Sequence, residues 1–314
     1  MEKLLVDTDI GSDVDDALAL LYALRCPYLE VDGVTTVYGK SDIRAKIAKK
    51  VVDYAGQDIP VHAGEGTPLN TDFPIWHTGR EGEGVLTPEE YSKSLGEMGV
   101  GDNAVDFLIE KIMKNPGKYN ITTLGALTNI AQAIIKEPKV VDNIKHIYIM
   151  GGAISANYNL DWRNIVPATE PEHNIRCDIG AAQIVIGSSI PKTLLPIDTT
   201  AHVPIDREDF EYMLGGDQSQ LAVKRLVDVW FDYRDQIFGY KVEYTCMHDP
   251  LTVATIIYPD LVQQAKLPLI VDGKGVTKID DQGVIVKIGY GVDFKRFRDI
   301  FLKTISDYRT ACKG

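Results

Sequence analysis

The chain is poor in the features that would place it in several large protein classes. It has four cysteines in 314 residues, and Cys26, Cys177, Cys246 and Cys312 are too scattered for a CxxC or zinc-type spacing. A disulfide framework and a thiolate metal site are therefore not expected, and buried free thiols in a reducing compartment are. No apolar run approaches the ~20 residues that a membrane helix needs. The start, Met1-Glu2-Lys3-Leu4-Leu5-Val6-Asp7, is too short and too soon acidic for a signal peptide. A soluble, cytoplasmic protein is expected. Basic charge is also scarce. The formal net charge of -12 argues against a nucleic-acid partner or an anionic membrane surface, both of which need a basic footprint. There is no internal repeat and no clear linker, so residues 1–314 read as one domain.

What is present is ordinary in bulk, with 45% hydrophobic and 25% charged residues, and specific in arrangement. Short β-rich runs (Leu4–Thr8, Leu29–Val37, Pro60–Ala63, Ile121–Leu124, His146–Met150, Lys192–Ile197) alternate with helix-period stretches (Val14–Cys26, Ser41–Ala55, Asn103–Asn115, Leu127–Lys136, Asp178–Gly187). That alternation predicts an α/β fold with an open, mainly parallel sheet covered by helices on both faces. From about Asp206 helical patterns dominate. A small β pair, Leu267–Val271 with Gly283–Ile288, and a terminal helix, Phe294–Lys303, then follow. Two polar stretches, Gly64–Gly101 and Gly151–His173, follow strand ends and could close over a single site.

Asp7, Asp9, Asp13, Asp15 and Asp16 crowd the first strand-to-helix turn. So many anions at one turn repel strongly unless a cation or proton sits among them. Ligands in such sheets bind beyond the carboxyl ends of the strands, which is where this turn lies. Carboxylate oxygens suit calcium or magnesium rather than zinc or copper. The turn is no EF-hand, because it lacks the twelfth-position glutamate and a strand precedes it. A further ligand must come from elsewhere. His248-Asp249-Pro250, opening an apolar helix pattern, offers an imidazole beside a carboxylate, with Asp249 expected near the N-cap and Pro250 at the first helical position.

The run Asp7-Thr8-Asp9-Ile10-Gly11 with Asp15-Asp16-Ala17 resembles the DxDPGxDDA signature of the inosine-uridine preferring nucleoside hydrolases. Further segments agree in order. Thr35-Thr36-Val37-Tyr38-Gly39 is similar to TTVxG, Leu124-Gly125-Ala126-Leu127-Thr128-Asn129 to the GPLTN turn, and Met150-Gly151-Gly152 to MGG. Glu172-His173-Asn174 resembles EFN, Pro196-Ile197-Asp198-Thr199-Thr200 resembles PLDVT, and His248-Asp249-Pro250 resembles HDP. There are departures. Two residues are inserted after Gly11, which leaves Asp13 without a counterpart. Ile10 replaces a proline, Lys40 an asparagine and His173 a phenylalanine, and Asn164 is a loose match to an upstream asparagine.

The resemblance implies a Rossmann-like nucleoside hydrolase fold and hydrolysis of the N-glycosidic bond of a ribonucleoside to ribose and free base. It implies calcium (Ca2+) held by Asp9, Asp16, the Leu124 carbonyl and Asp249, with Asp15 as general base toward a water at the metal. Glu172, Asn174 and Asn164 would grip the ribose, with Lys40 at the rim. His248 would assist departure of the base. His77 could reach the base from a lid, and Tyr240 and Gln236 are candidates for base contacts. A homodimer or homotetramer is expected.

Rival readings exist. Asp7-Thr8-Asp9 also resembles the first motif of haloacid-dehalogenase-type phosphatases, which need a later lysine and an aspartate pair that only Asp280-Asp281 offers. The stretch Gly33 to Ser41 nearly spells a P-loop, with one residue too many between its glycines. The non-enzymatic rival is a calcium-stabilised nucleoside- or sugar-binding module.

Overall fold

Strand β1 (Glu2–Thr8) buries side chains on both faces, since Leu4 and Val6 join one hydrophobic cluster and Leu5 joins another. A strand of that kind belongs in the middle of a sheet covered on both sides. The computed structural model describes residues 1–156 and 165–306. The remaining strands, in chain order, are β2 (Leu29–Thr36), β3 (Val61–Ala63), β4 (Tyr119–Thr123), β5 (His146–Met150), β6 (Lys192–Leu195), β7 (Pro204–Asp206), β8 (Tyr244–Cys246), β9 (Val262–Val271), β10 (Thr277–Ile279) and β11 (Val284–Val292). One sheet runs in the order β10-β9-β11-β6-β5-β4-β1-β2-β3. It is parallel from β3 to β11 and antiparallel only where β9 and β10 are added.

The chain leaves β1 for β2 on one side and returns to place β4 on the other. The order therefore reverses at β1, and the crevice beyond the ends of β1 and β4 is the topological switch point where ligands bind in open α/β sheets. Asp7 pairs with Thr35 of β2 and Thr123 of β4 there. The aspartate turn opens directly into that crevice.

The structure extends the sequence reading at the C-terminal side. The β pair forms as an antiparallel pair, but it is longer than expected and does not stand apart. β11 docks parallel to β6 and carries β9 and β10 onto the main sheet. Lys192–Ile197 is cut short, because Ile197 begins the helical turn Ile197–Thr200. The two-stranded antiparallel β7–β8 ribbon has no counterpart among the sequence patterns, since three residues per strand carry no readable period.

Helices Arg207–Met213, Gln218–Phe238 and His248–Ile257 make up the helical region. Asp217 and Gln220 form a reciprocal capping box on the longest of these, and Gly239, at φ 72°, ends it in the left-handed conformation. Every residue of the first helix, Asp15–Arg25, is buried. Its Asp15-Asp16 start and Arg25 end match the helix dipole. Arg25 also bonds Asp217 and the Ile305 carbonyl, tying the helix to two C-terminal neighbours. Among the described residues no helix is long and apolar enough to cross a membrane. Cys26, Cys177 and Cys246 are free thiols, and Cys312 lies outside the described residues.

Candidate functional site

The turn after β1 is fixed from beneath. Gly11 has φ 111°, a conformation costly for any residue with a Cβ. Arg44, fully buried on the helix Ser41–Tyr54, donates Nε to the Tyr38 carbonyl (2.8 Å), Nη1 to the Ile10 carbonyl (3.1 Å) and Nη2 to Ser12 Oγ (3.0 Å). A buried guanidinium bonded only to neutral oxygens leaves its charge to act on the aspartates nearby. It opposes the upward push of burial at Asp9 and Asp16. Asp7 accepts from Thr35 Oγ1 (2.5 Å) and Asn129 Nδ2 (2.7 Å) and points away from the crevice as a brace. Burial raises its carboxyl to about 7.

Asp15, Asp16 and Asp249 are all buried, and each offers an oxygen such that the three atoms lie within 4.8 Å of one another. Burial first, and then the charges of the other aspartates, push Asp16 and Asp249 well above the usual carboxylate range. Asp15 rises to about 7 through burial and the charge of Asp13. Asp249 Oδ1 has no hydrogen-bond partner. An orphaned buried carboxylate oxygen facing two other buried carboxylates fits a divalent cation with oxygen preference. Asp9 lines the same cavity but stands outside the tight trio, whereas Asp15, read from the sequence as the base, stands within it.

Asp249 is not at the cap position. Met247 occupies the N-cap and His248 opens the helix, because the β7–β8 ribbon ends at Cys246 and Met247 N–H bonds the Val203 carbonyl (3.0 Å). The Asp249 N–H instead donates to Asp15 Oδ2 (3.2 Å), joining residues 234 apart in the chain. His248 Nδ1 is 2.8 Å from Thr200 Oγ1. Burial lowers the His248 ring to about 4 against the opposing charge of Asp13, so it is neutral in the cation-free protein.

The cavity, about 170 Å³, is also walled by Leu124, Glu172, Asn174 and Trp76. Asn174 Nδ2 donates to the Leu124 carbonyl (2.8 Å) and the Met150 carbonyl (3.1 Å). Glu172 caps the short helix His173–Cys177 and accepts from Gly152 N–H (2.9 Å), so it joins the MGG loop to the EHN turn. Trp76 had no signal in the sequence beyond its place in a long loop. It packs edge-on to His173, with ring centroids 5.9 Å apart.

Other residues named from the sequence sit elsewhere. Lys40 pairs with Glu81 at 3.5 Å and His77 is exposed, and neither lines a described cavity of the site. Gln236 is exposed and lines neither cavity, while Tyr240, past the helix end, lines a second cavity of about 450 Å³ that shares Asp13, Asp15 and His248 with the first. Asn164 lies outside the described residues.

Residues 4–299 match the family model described as inosine-uridine preferring nucleoside hydrolase. The chain belongs to that family. As a nucleoside hydrolase it acts on the N-glycosidic bond of ribonucleosides. It is 32% identical to uridine nucleosidase 1 of Arabidopsis thaliana over 91% of its own length and 80% of the relative's. A plant nucleoside hydrolase structure superposes with TM-score 0.79 at 26% identity, covering 98% of this chain and 99% of that one. A purine-preferring ribonucleoside hydrolase from Gardnerella vaginalis superposes with TM-score 0.81 at 27% identity, with the same coverage.

The hydrolase places Gly125 against Asp9, where an added Cβ would lie 2.7 Å from Oδ1 and 2.9 Å from the Asp9 Cβ. Gly125→Ala is expected to displace Asp9 and weaken divalent-cation binding by about tenfold, roughly 1.4 kcal/mol. Calorimetric titration of the metal-free protein measures it. Unchanged affinity would separate Asp9 from the cation site.

Proposed function

We propose that the hydrolase cleaves ribonucleosides with calcium held by Asp9, Asp16, the Leu124 carbonyl and Asp249, with Asp15 as general base and His248 aiding departure of the base. The observation that supports it best is the meeting of Asp15, Asp16 and Asp249, three buried carboxylates from opposite ends of the chain, at the switch point of the sheet. When bound, the cation would neutralise these carboxylates and acidify a water beside them.

The remaining work falls to the chain's own groups. Asp15 Oδ1 or Oδ2 takes the proton of the attacking water, and a carboxyl raised by burial is a stronger base for the purpose. Glu172 and Asn174, rigidly held by their backbone partners, orient the ribose hydroxyls. The anionic cavity favours the positive charge that develops on the sugar as the base departs. His248, neutral and fixed by Thr200, offers a ring N–H toward the leaving base. We also expect a closed homo-oligomer.

A substrate panel of uridine, cytidine, inosine and adenosine, followed by chromatography of free base with and without chelator, tests this. Release of at least one base that stops on chelation is expected. A protein that binds nucleosides yet releases no base would replace this reading with that of a calcium-stabilised binding module.

A further inference from the structure

The second cavity differs in charge from the first. Where the first gathers carboxylates without a lysine or arginine, the second sets Arg234 and Lys241 among Asp13, Asp15 and Glu243, beside the rings of Trp230, Phe238 and Tyr240. Lys241 is exposed and spent on Glu243 at 3.1 Å. Arg234 is held far more closely. It lies on the last turns of the helix Gln218–Phe238, and its side chain is 28% exposed. Its guanidinium sits over the Trp230 ring, 5.1 Å from the centroid, and Nη2 donates to Asp13 Oδ1 at 2.9 Å. The same oxygen accepts from Trp230 Nε1 at 2.6 Å.

Asp13 thus orders both a cation and an aromatic face at the boundary of the two cavities, since it lines both. Burial alone would raise its carboxyl, but Arg234 and Trp230 outweigh that and hold it below the usual range. Among the described residues the bond to Asp13 is the one hydrogen bond that Arg234 makes, and its Nε is buried without a partner. A guanidinium carries five N–H donors. Most of these are unspent, at a wall shared with Asp15 and His248.

The reaction puts negative charge on the leaving base. As the C1′–N bond breaks, both electrons leave with the base nitrogen. C1′ bonds the water oxygen, Asp15 takes one water proton, and the base departs anionic, hydrogen-bonded by the neutral His248 ring, until solvent protonates it. We propose that Arg234, oriented by Asp13 and Trp230, is a catalytic residue for the leaving base, donating to one of its acceptor atoms and stabilising the negative charge it acquires. This rests on the hydrolase reading of the same cleft. It also gives Asp13, part of the two-residue insertion, a positioning role.

The test compares uridine with 4-nitrophenyl β-D-ribofuranoside, whose phenolate leaves readily and needs less stabilisation. Arg234→Met is expected to lower kcat on uridine by about a hundredfold, in the range seen for loss of one charge-stabilising donor. On the nitrophenyl riboside the loss should stay under about tenfold. Arg234→Lys should fall between, and Asp13→Asn should show the same substrate-dependent loss at smaller size. Melting curves and near-ultraviolet dichroism report folding, and if Arg234→Met does not fold, Arg234→Lys carries the same comparison. Equal losses on both substrates, or none on either, would overturn the role of Arg234 while leaving the hydrolase reading intact. A wild-type protein that releases no base from uridine, cytidine, inosine or adenosine and no nitrophenolate from the riboside would overturn that reading and this one with it.

Discussion

Asp15→Asn is expected to lower kcat by about a thousandfold on whichever nucleoside the hydrolase cleaves best, the scale of a lost general base. The substitution keeps shape and removes basicity. Asparagine can still accept the Asp249 N–H through its carbonyl oxygen, which Asp15 does now at 3.2 Å. It also removes one of three mutually repelling buried carboxylates. The cation-free variant should therefore melt at or above the wild-type temperature. Steady-state kinetics paired with thermal melts separate the two effects. Turnover within a factor of two of wild type would remove Asp15 from the chemistry.

Cation removal should produce the second large effect, and its size should depend on pH. In the cation-free protein the carboxyls of Asp7 and Asp15 are raised to about 7 by burial, with the Asp13 charge adding at Asp15. Unfolded aspartates titrate near 3.9. Between these values the folded state holds protons that the unfolded state has released, so stability falls as pH rises from about 4 to about 7. Asp16 and Asp249 are raised further and extend the loss in the same direction. A divalent cation would bind the deprotonated carboxylates, so its affinity should increase over the same window with release of protons. If calcium is that cation, as proposed, a concentration about 100 times Kd should add ~2.7 kcal/mol to the folded state. Melting series from pH 4 to 7.5, with chelator and with calcium, measure both slopes. Identical melting temperatures in the two series at pH 7.5 would remove the cation from this site.

The sequence carried the frame of the site well, because motif residues at strand ends depend on local chain direction. Asp9, Asp15 and Asp16 follow β1 directly, Leu124 follows β4, and Asn174 and Asp249 lie in the first turns of helices. Parallel strands bring the residues after β1 and β4 to one edge, and the cavity there is completed by Asn174 and Asp249 from outside those strands. Side chains whose place depends on helix phase or loop path were less legible. Gln236 and Arg234 are two residues apart, and that offset alone decides which faces the cleft. Trp76 and His77 are adjacent in one loop, yet one lines the cavity and the other is exposed. Lys40 followed a family position but is drawn to buried Glu81 instead. Asp13 had no counterpart to read from, and only the proximity of Trp230 and Arg234, more than two hundred residues away, gives it a context.

The contact between Asp15 and Asp249 closes a span of 234 residues. The described cysteines form no bridge, so a cation gripping both ends would be a removable staple on the chain. Closing so long a loop restricts the unfolded ensemble when the staple persists there, but carboxylates released from the fold have little hold on a divalent ion. The constraint would exist only in the native state, and would appear as slower opening of the helix His248–Ile257 rather than as a preorganised denatured chain. Catalytic readiness and the docking of that helix would then rise and fall with the free cation level of the surroundings.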